Sequence, residues 1–192
     1  MTAPTFILAS ASVRRVQLLA AMGITPAQIV PADIDETPLK NELPHLYAKR
    51  VAMAKAAHVA VRHPDALILA ADTVVACGKR ILPKAEDEKT ARACLKLLSG
   101  KRHRVYTAIA LHHQQKIRSA TVMTVVQFTH LSKADIDHYI ASKEWEGKAG
   151  GYAIQGLAEA FIPRINGSVS NVIGLPLTKT RLMLIQAGLR PW

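Results

Sequence analysis

The chain has 192 residues, 49% of them hydrophobic and 5% aromatic, and its 25 Lys and Arg against 14 Asp and Glu give a formal charge of +11. This length predicts one domain over residues 1–192, of one or two lobes, and the charge favours a polyanionic partner such as a phosphate. The few aromatic residues argue against stacking on single-stranded nucleic acid, and the lack of a long apolar run or a secretory signal predicts a cytoplasmic protein that does not enter a membrane.

Extended and helical patterns alternate along the chain, which predicts an α/β fold with a mixed sheet. The patterns predict, in order, a strand in 5–9, a helix in 14–23, a short strand and an acidic loop in 28–38, a helix in 43–63, a strand in 65–75, a helix in 85–100, two antiparallel strands in 104–113 and 116–131, a helix in 133–142, a strand in 159–165 and a last helix in 178–188. Ser132 and Asp135 form a capping box for the helix that they precede.

The segment "ASASVRR" (9–15) places two serines and two arginines where the first strand gives way to the first helix. One interpretation is that Ser12 caps the helix while Arg14 and Arg15 lie on its solvated first turn. The other is an anion site, because cations are unfavourable at a helix N-terminus, whereas serine hydroxyls, backbone N–H groups and arginines all bind phosphate. This segment alone favours neither interpretation.

Polar residues also interrupt apolar elements further along the chain. Asp72 and Thr73 end the apolar run "ALILAA", so we expect Asp72 at the carboxyl edge of the sheet, where α/β proteins bind ligands. Lys55 interrupts an alanine-rich helix, and Lys84 lies in the loop before the third helix. Taken singly, each of these residues is more simply a turn acid or a solvated lysine.

Together, these residues have the composition of a nucleotide site. The loop "DIDE" ends in Glu36, and Gln155 lies among glycines that allow close backbone approach in "AGGYAIQG". Acids, four cations and an amide are the groups that bind a nucleoside triphosphate with its divalent metal. Since Mg²⁺ takes few carboxylates together with phosphate oxygens, Glu36 and Asp72 would suffice as its protein ligands.

Other nucleotide and metal motifs are absent from the sequence. Leu157 and Ala158 stand where a P-loop needs its Lys and Ser or Thr, and no GxGxxG follows a predicted strand. The eight histidines show no zinc-ligand spacing. The sequence therefore argues against a P-loop, a dinucleotide-binding fold and a histidine-bound zinc.

Seven segments, taken in order and spacing, resemble the Maf family of nucleoside triphosphate pyrophosphatases. They are "LASASVRR", "DE" at 35–36, "AMAKA", "AADTVV", "LKLLSGKRHRVYT", "KAGGYAIQG" and "INGSVSNVIGLPL". The resemblance implies a fold shared with inosine-triphosphate pyrophosphatases, in which helices flank an elongated mixed β-sheet around a central cleft, and usually a homodimer. It also implies hydrolysis between the α and β phosphates, with Mg²⁺ or Mn²⁺, to a nucleoside monophosphate and pyrophosphate.

The resemblance implies a role for nine residues of this chain. Ser10, Arg14 and Arg15 match the phosphate loop of the family, and Glu36 matches its acidic loop residue. Lys55 matches the helix lysine, Asp72 matches the proton acceptor, and Lys84 matches the lysine after the central hairpin. The positions associated with base selection are matched by Arg14, Thr73 and Gln155. Glu36 and Asp72 would hold the metal. We expect the three cations Arg15, Lys55 and Lys84 to be solvated, so that their removal weakens the reaction with little loss of stability.

Two positions depart from the family pattern. Val13 stands where a proline is usual, and Ala85 replaces the proline usual after Lys84, with Pro83 before the lysine instead. Both changes affect backbone restraint rather than chemistry.

The resemblance is to the branch of the family that acts on dTTP and UTP, so we expect a pyrophosphatase that prefers these nucleotides. In this interpretation the Gln155 amide reads the base; the alternative is that it only hydrogen-bonds the glycine loop. A second hypothesis for the whole chain is a basic regulatory protein of cell division that binds nucleic acid or a protein partner and retains a vestigial nucleotide site.

Overall fold

The computed structural model describes residues 4–189, so the first three and last three residues of the predicted domain lie outside it. The strands are β1 (Phe6–Leu8), β2 (Gln28–Ile29), β3 (Leu67–Cys77), β4 (Arg80–Leu82), β5 (Lys84–Ala85), β6 (Arg102–His113), β7 (Lys116–Gln127), β8 (Lys148–Ala149) and β9 (Arg164–Asn166). The helices are α1 (Val13–Ala20), α2 (Pro44–Ala60), α3 (Glu88–Leu98), α4 (Lys133–Ala141), α5 (Val169–Ile173) and α6 (Leu177–Gln186), with a 3₁₀ helix at Leu157–Phe161.

The main sheet is mixed. Its strands lie in the order β2-β1-β3-β6-β7-β9, with β4 paired to β3, while β5 and β8 form a separate antiparallel pair. The β1 strand is parallel to both β2 and β3, and the remaining pairs are antiparallel. The predicted hairpin is present, since β6 and β7 pair from Arg102–Gln127 to His113–Lys116 across a two-residue turn, although β7 ends at Gln127 and not at residue 131.

The long strand β3 has two successive partners on one of its sides. Residues 67–69 pair with β1, residues 75–77 pair with β4, and β6 covers the other side from residue 68 to residue 76. In the described part of the chain, residues 70–74 therefore have no strand partner on the side of β1. This gap lies at the carboxyl end of the parallel strands, and it leaves room for a cleft beside the middle of β3.

Helix α2 packs on the sheet through a stripe of small residues. Ala48, Ala52 and Ala56 follow at four-residue spacing and are fully buried against the sheet. Lys55 lies on the same face of α2, since it is three residues from Ala52 and seven from Ala48. The short alanine side chains bring the helix close to the sheet, and they carry the lysine into the interior with it.

Several sequence-based expectations about local structure are wrong. Asp72 lies in the middle of β3, paired with Ala108, because the strand continues along β6 past the polar residues that were expected to end it. Lys84 lies in a short strand rather than a loop. The strand predicted in 159–165 begins as a 3₁₀ helix, and only β9 is extended. None of the helices in residues 4–189 is long and apolar enough to cross a membrane.

Candidate active site

A cleft of about 580 Å³ opens beside the middle of β3. The nine residues singled out from the sequence, Ser10, Arg14, Arg15, Glu36, Lys55, Asp72, Thr73, Lys84 and Gln155, all line it. They come from the β1–α1 turn, the first turn of helix α1, the loop after β2, helix α2, strands β3 and β5, and the glycine-rich loop after β8. The fold therefore brings together residues that are up to 145 positions apart in the chain.

A chain of ion pairs crosses the cleft. The Lys55 Nζ atom lies 3.0 Å from Asp72 Oδ1 and 2.9 Å from Glu36 Oε1. Lys84 Nζ approaches the other oxygen of Glu36, at 3.3 Å. Lys55 and Asp72 are buried, at 7% and 4% exposure, whereas Lys84 is exposed. One glutamate thus joins a buried lysine to a solvated one.

The pKa values of the two carboxylates are shifted in opposite directions. Burial raises the pKa of Asp72 above its usual range, against the opposing effect of the positive charges on Lys55 and Arg15. Partial burial also acts to raise the pKa of Glu36, but hydrogen bonds and charges from Lys55 and Lys84 outweigh it, so the pKa of Glu36 lies below its usual value. Burial thus makes Asp72 more basic than a solvated aspartate, while its lysine partners make Glu36 less basic than a solvated glutamate.

The "ASASVRR" segment forms the turn after β1 and the start of helix α1. Ser12 occupies the N-cap position of α1, but its side chain makes no capping hydrogen bond. Instead, Arg15 donates from Nη1 to Ser10 Oγ at 2.9 Å, from Nη2 to Thr73 Oγ1 at 3.2 Å and from Nε to the Gly174 carbonyl at 2.9 Å. The interpretation of this segment as a serine cap followed by solvated arginines is therefore wrong for Ser12 and Arg15.

The expectation that Lys55 and Arg15 are solvated is also wrong. Lys55 is held by two carboxylates beneath the cleft, and Arg15 joins α1 to β3 and to the loop after α5. We refer to Ser10, Arg15, Lys55, Asp72 and Thr73 as the cleft floor. The charged and polar side chains of the floor are all bonded to other side chains or to the backbone.

Sequence reasoning missed a second layer of polar residues behind the floor. Thr73 Oγ1 lies 3.0 Å from Thr107 Oγ1, which donates to the Asn171 carbonyl at 2.7 Å. The Asn171 amide donates to the Val105 carbonyl and to Thr124 Oγ1. Thr107, Thr124 and Asn171 are fully buried. Polar residues inside apolar strands were the available signal, but their partners lie in distant segments that no local pattern connects.

Other polar groups that line the cleft have few or no hydrogen-bond partners in residues 4–189. Neither the Arg14 guanidinium nor the Gln155 amide hydrogen-bonds another residue in 4–189, so the alternative that Gln155 serves only to bond its own loop finds no support. Lys148, which sequence reasoning missed, also lines the cleft; burial lowers its pKa, and so does the charge of Arg14. We refer to Arg14, Lys84, Lys148 and Gln155 as the cleft rim.

The rim is supported from behind by backbone pairing and aromatic packing. Lys84 pairs with Ala149 across β5 and β8, and Gly150 packs so tightly on Val75 that a Cβ there would lie 2.8 Å from its Cγ1. Tyr152 is buried, and its hydroxyl lies 2.8 Å from His103 Nε2. These contacts attach the glycine-rich loop to the sheet and leave its polar groups facing the cleft.

The carboxylates of the cleft fit a divalent metal. Within residues 4–189, no group of three or more His, Cys, Asp or Glu could hold a metal by itself. Glu36 and Asp72 nevertheless bond the same Lys55 Nζ, so two hard oxygen donors lie around one cation already. Such a pair suits Mg²⁺, which takes one or two carboxylates and completes its shell with phosphate oxygens and water.

The chain is similar to a family of known proteins. Residues 5–187 match the family model described as "Maf-like protein". The chain is 58% identical over 186 residues to a "dTTP/UTP pyrophosphatase" of Rhodospirillum rubrum, covering 96% of this chain and 89% of the relative. It is 58% identical to a protein of the same name from Zymomonas mobilis, covering 97% and 93%. A "Nucleoside triphosphate pyrophosphatase" of Ehrlichia chaffeensis is 51% identical, covering 94% of each chain.

The fold is also similar to that of a solved structure. A HAM1 protein from Coxiella burnetii superposes with a TM-score of 0.56 over 95% of this chain and 98% of its own, at 15% sequence identity. This likeness concerns the fold alone. The predicted fold class, a mixed sheet flanked by helices around a central cleft, is confirmed.

Proposed function

This chain belongs to the Maf-like protein family, and we propose that it hydrolyses nucleoside triphosphates, dTTP and UTP above others, to the monophosphate and pyrophosphate. The observation that carries the proposal is the cleft itself. The nine residues that the family resemblance implies lie around one volume of about 580 Å³, which suits a nucleotide. The relatives named dTTP/UTP pyrophosphatase, at 58% identity, support the same base preference.

Asp72 is the residue that we assign to proton transfer. Lys55 fixes its Oδ1, while its Oδ2 accepts no hydrogen bond from any residue in 4–189 and is free to take a proton from an attacking water. Burial strengthens this carboxylate as a base, and the ammonium of Lys55 keeps it ionised. A general base of this kind contributes on the order of 10² to 10⁴ in rate.

The cations of the cleft are assigned to the phosphates. Within residues 4–189, Arg14 and Lys148 have no carboxylate hydrogen-bonded to them, and Arg15 keeps two of its five N–H groups after its three bonds to the protein. Positive charge fixed in place before the reaction stabilises the negative charge that develops on the leaving pyrophosphate. A divalent metal held by Glu36 and Asp72 supplies further charge neutralisation at the phosphates when it is bound.

Base selection is assigned to the rim residue Gln155, together with Thr73 and Arg14, which line the same cleft. Thymine and uracil present a 2-oxo, 3-N–H, 4-oxo edge, and one amide accepts from the N–H while it donates to an oxygen. Cytosine presents an amino group at position 4 and no proton at N3, so the same amide is left with unpaired groups. The free amide of Gln155 supports this assignment.

A regulatory protein with a vestigial nucleotide site is not favoured as an alternative. Such a protein has no need to keep a buried aspartate paired with a lysine, nor to keep Arg14 and Lys148 in the cleft without a carboxylate partner in residues 4–189. We propose that the enzyme works in the cytoplasm, where nucleotides and Mg²⁺ are present, and that it forms a homodimer. Light scattering after size-exclusion chromatography tests the dimer, with a mass of one chain as the contradicting result.

A nucleotide panel tests the proposed function. Pyrophosphate release is measured with Mg²⁺ for dTTP, UTP, CTP, ATP and GTP and for a methylated guanosine triphosphate. We expect dTTP and UTP to give the largest kcat/KM. Equal values for all six, or a preference for the methylated nucleotide, would contradict the base preference while leaving the pyrophosphatase activity standing. No release from any nucleotide would contradict the activity as well.

A further inference from the structure

Glu144 lies directly behind the turn that presents Gln155. This glutamate follows α4 and is partly buried, and it does not line the cleft. Its Oε2 accepts a hydrogen bond from the backbone N–H of Leu157 at 2.8 Å. Leu157 is the first residue of the 3₁₀ helix, so the carboxylate satisfies a backbone donor that the helix itself leaves unpaired.

Gly156 gives the carboxylate of Glu144 the room to reach this position. A Cβ at Gly156 would lie 2.0 Å from Glu144 Oε2 and 2.6 Å from Cδ. The φ of Gly156 is −126°, which residues with side chains also adopt, so the glycine is needed for space rather than for its backbone conformation. Glu144 and Gly156 are therefore packed together, immediately beside Gln155.

The other end of the turn is held by α4. The Tyr139 hydroxyl accepts a hydrogen bond from the Ala153 N–H at 3.0 Å, and Tyr139 is fully buried. Within the turn, the Gly156 N–H donates to the Ala153 carbonyl at 3.2 Å. Backbone groups on both sides of Gln155 are thus fixed by side chains, while its own amide stays free.

We propose that Glu144 is a positioning residue for base selection, which acts by holding the turn 153–157 so that the Gln155 amide faces the base. The inference rests on the proposed function, since it concerns the selectivity of the same cleft. Glu144 touches no substrate in this account. Its loss leaves Gln155 present but no longer fixed, and a loosely held polar group discriminates poorly between bases.

The test measures kcat/KM for UTP and for CTP in three variants. Glu144→Ala should lower the UTP/CTP ratio about tenfold, because the amide no longer rejects the wrong base. Glu144→Gln keeps an oxygen that accepts from Leu157 N–H, so it should retain the ratio within about threefold. The matched control is Glu159→Ala, an exposed glutamate of the same 3₁₀ helix whose side chain makes no hydrogen bond in residues 4–189; it should leave the ratio unchanged.

Two double variants separate positioning from a general effect on folding. In a Gln155→Ala background, Glu144→Ala should lower the ratio no further. Gly156→Ala should lower the ratio by itself, through its collision with Glu144, and when combined with Glu144→Ala it should lower the ratio no further than Glu144→Ala alone.

Three outcomes decide the inference. An unchanged ratio in Glu144→Ala, whether both kcat/KM values hold or both fall by the same factor, overturns it while the proposed function stands. If Glu144→Ala does not fold, the Gly156→Ala and Glu144→Gln results carry the same test. A wild type without preference for UTP over CTP overturns the proposed base preference first, and this inference falls with it.

Discussion

The floor and the rim of the cleft differ in how their polar groups are satisfied. On the floor, Lys55 bonds two carboxylates, and Arg15 makes three hydrogen bonds to three separate segments. On the rim, Arg14 and Gln155 make none within residues 4–189, Lys84 makes a single contact of 3.3 Å, and Lys148 donates to the Glu146 carbonyl. The floor is a preorganised support, whereas the rim holds donors and acceptors that await a ligand. The same substitution should therefore have different consequences in the two regions.

The largest effect should come from the floor residue Asp72. Asp72→Asn should lower kcat for dTTP on the order of 10² to 10⁴, because the amide cannot take a proton from water. Its melting temperature should equal or exceed that of the wild type at neutral pH, since burial of the charged carboxylate is unfavourable and the amide oxygen still accepts from Lys55. A folded variant with more than about a tenth of the wild-type rate would remove Asp72 from the role of base.

Lys55 on the floor and Lys84 on the rim bond the same glutamate, so their substitutions give the closest comparison of stability between the two regions. Lys55→Ala should destabilise the fold by about 3 kcal/mol near pH 8, because it leaves Asp72 buried and unpaired. Lys84→Ala should change stability by less than about 1 kcal/mol, since Lys84 is exposed. Urea denaturation measures both. The loss in Lys55→Ala should shrink as the pH falls and Asp72 takes up a proton; equal losses in the two variants would contradict the distinction between floor and rim.

His103, which bonds Tyr152 behind the rim, should make the stability of the fold depend on pH. Burial lowers the pKa of His103 to about 4, so the unfolded chain binds the extra proton first as the pH falls below about 6.5. Stability should therefore drop by about 3 kcal/mol between pH 6.5 and pH 4, a loss that is absent above pH 6.5. His103→Gln, which still bonds Tyr152 but does not titrate, should flatten this part of the curve. An identical slope in the variant would show that other groups cause it.

The smallest effect on rate should come from the rim amide. Gln155→Ala should reduce the preference for UTP over CTP about tenfold, with the melting temperature unchanged, because Gln155 is exposed and supports no packing. Steady-state kinetics with both nucleotides measures the ratio. A variant that keeps the wild-type ratio would assign base reading to Thr73 or Arg14 instead.

The sequence predicted which residues line the cleft more accurately than it predicted how they are buried and bonded. Short segments such as "ASASVRR" and "AGGYAIQG" carry their signal locally, so Arg14 and Gln155 were found without knowledge of the fold. Burial depends on packing between distant segments, so the buried state of Lys55 was missed, although its position on the alanine face of α2 could have indicated it. Thr107 and Asn171 were missed because they pair across 64 positions of the chain.

The end of β3 was also predicted wrongly, because it depends on pairing with distant strands. Asp72 was expected at a strand end, because an acid normally interrupts an apolar run, but β6 pairs with β3 on both sides of it. The error concerned only the local environment, since the gap between β1 and β4 still places Asp72 at the cleft. Pairing between strands, which no local pattern contains, decided where this strand ends.

The most direct test of the account is to identify the products of dTTP hydrolysis by ³¹P NMR, with Mg²⁺, for the wild type and for Asp72→Asn. The account predicts dTMP and pyrophosphate in equal amounts from the wild type, and a rate at least about a hundredfold lower from the folded variant. Formation of dTDP and orthophosphate, or equal rates for the two proteins, would contradict it.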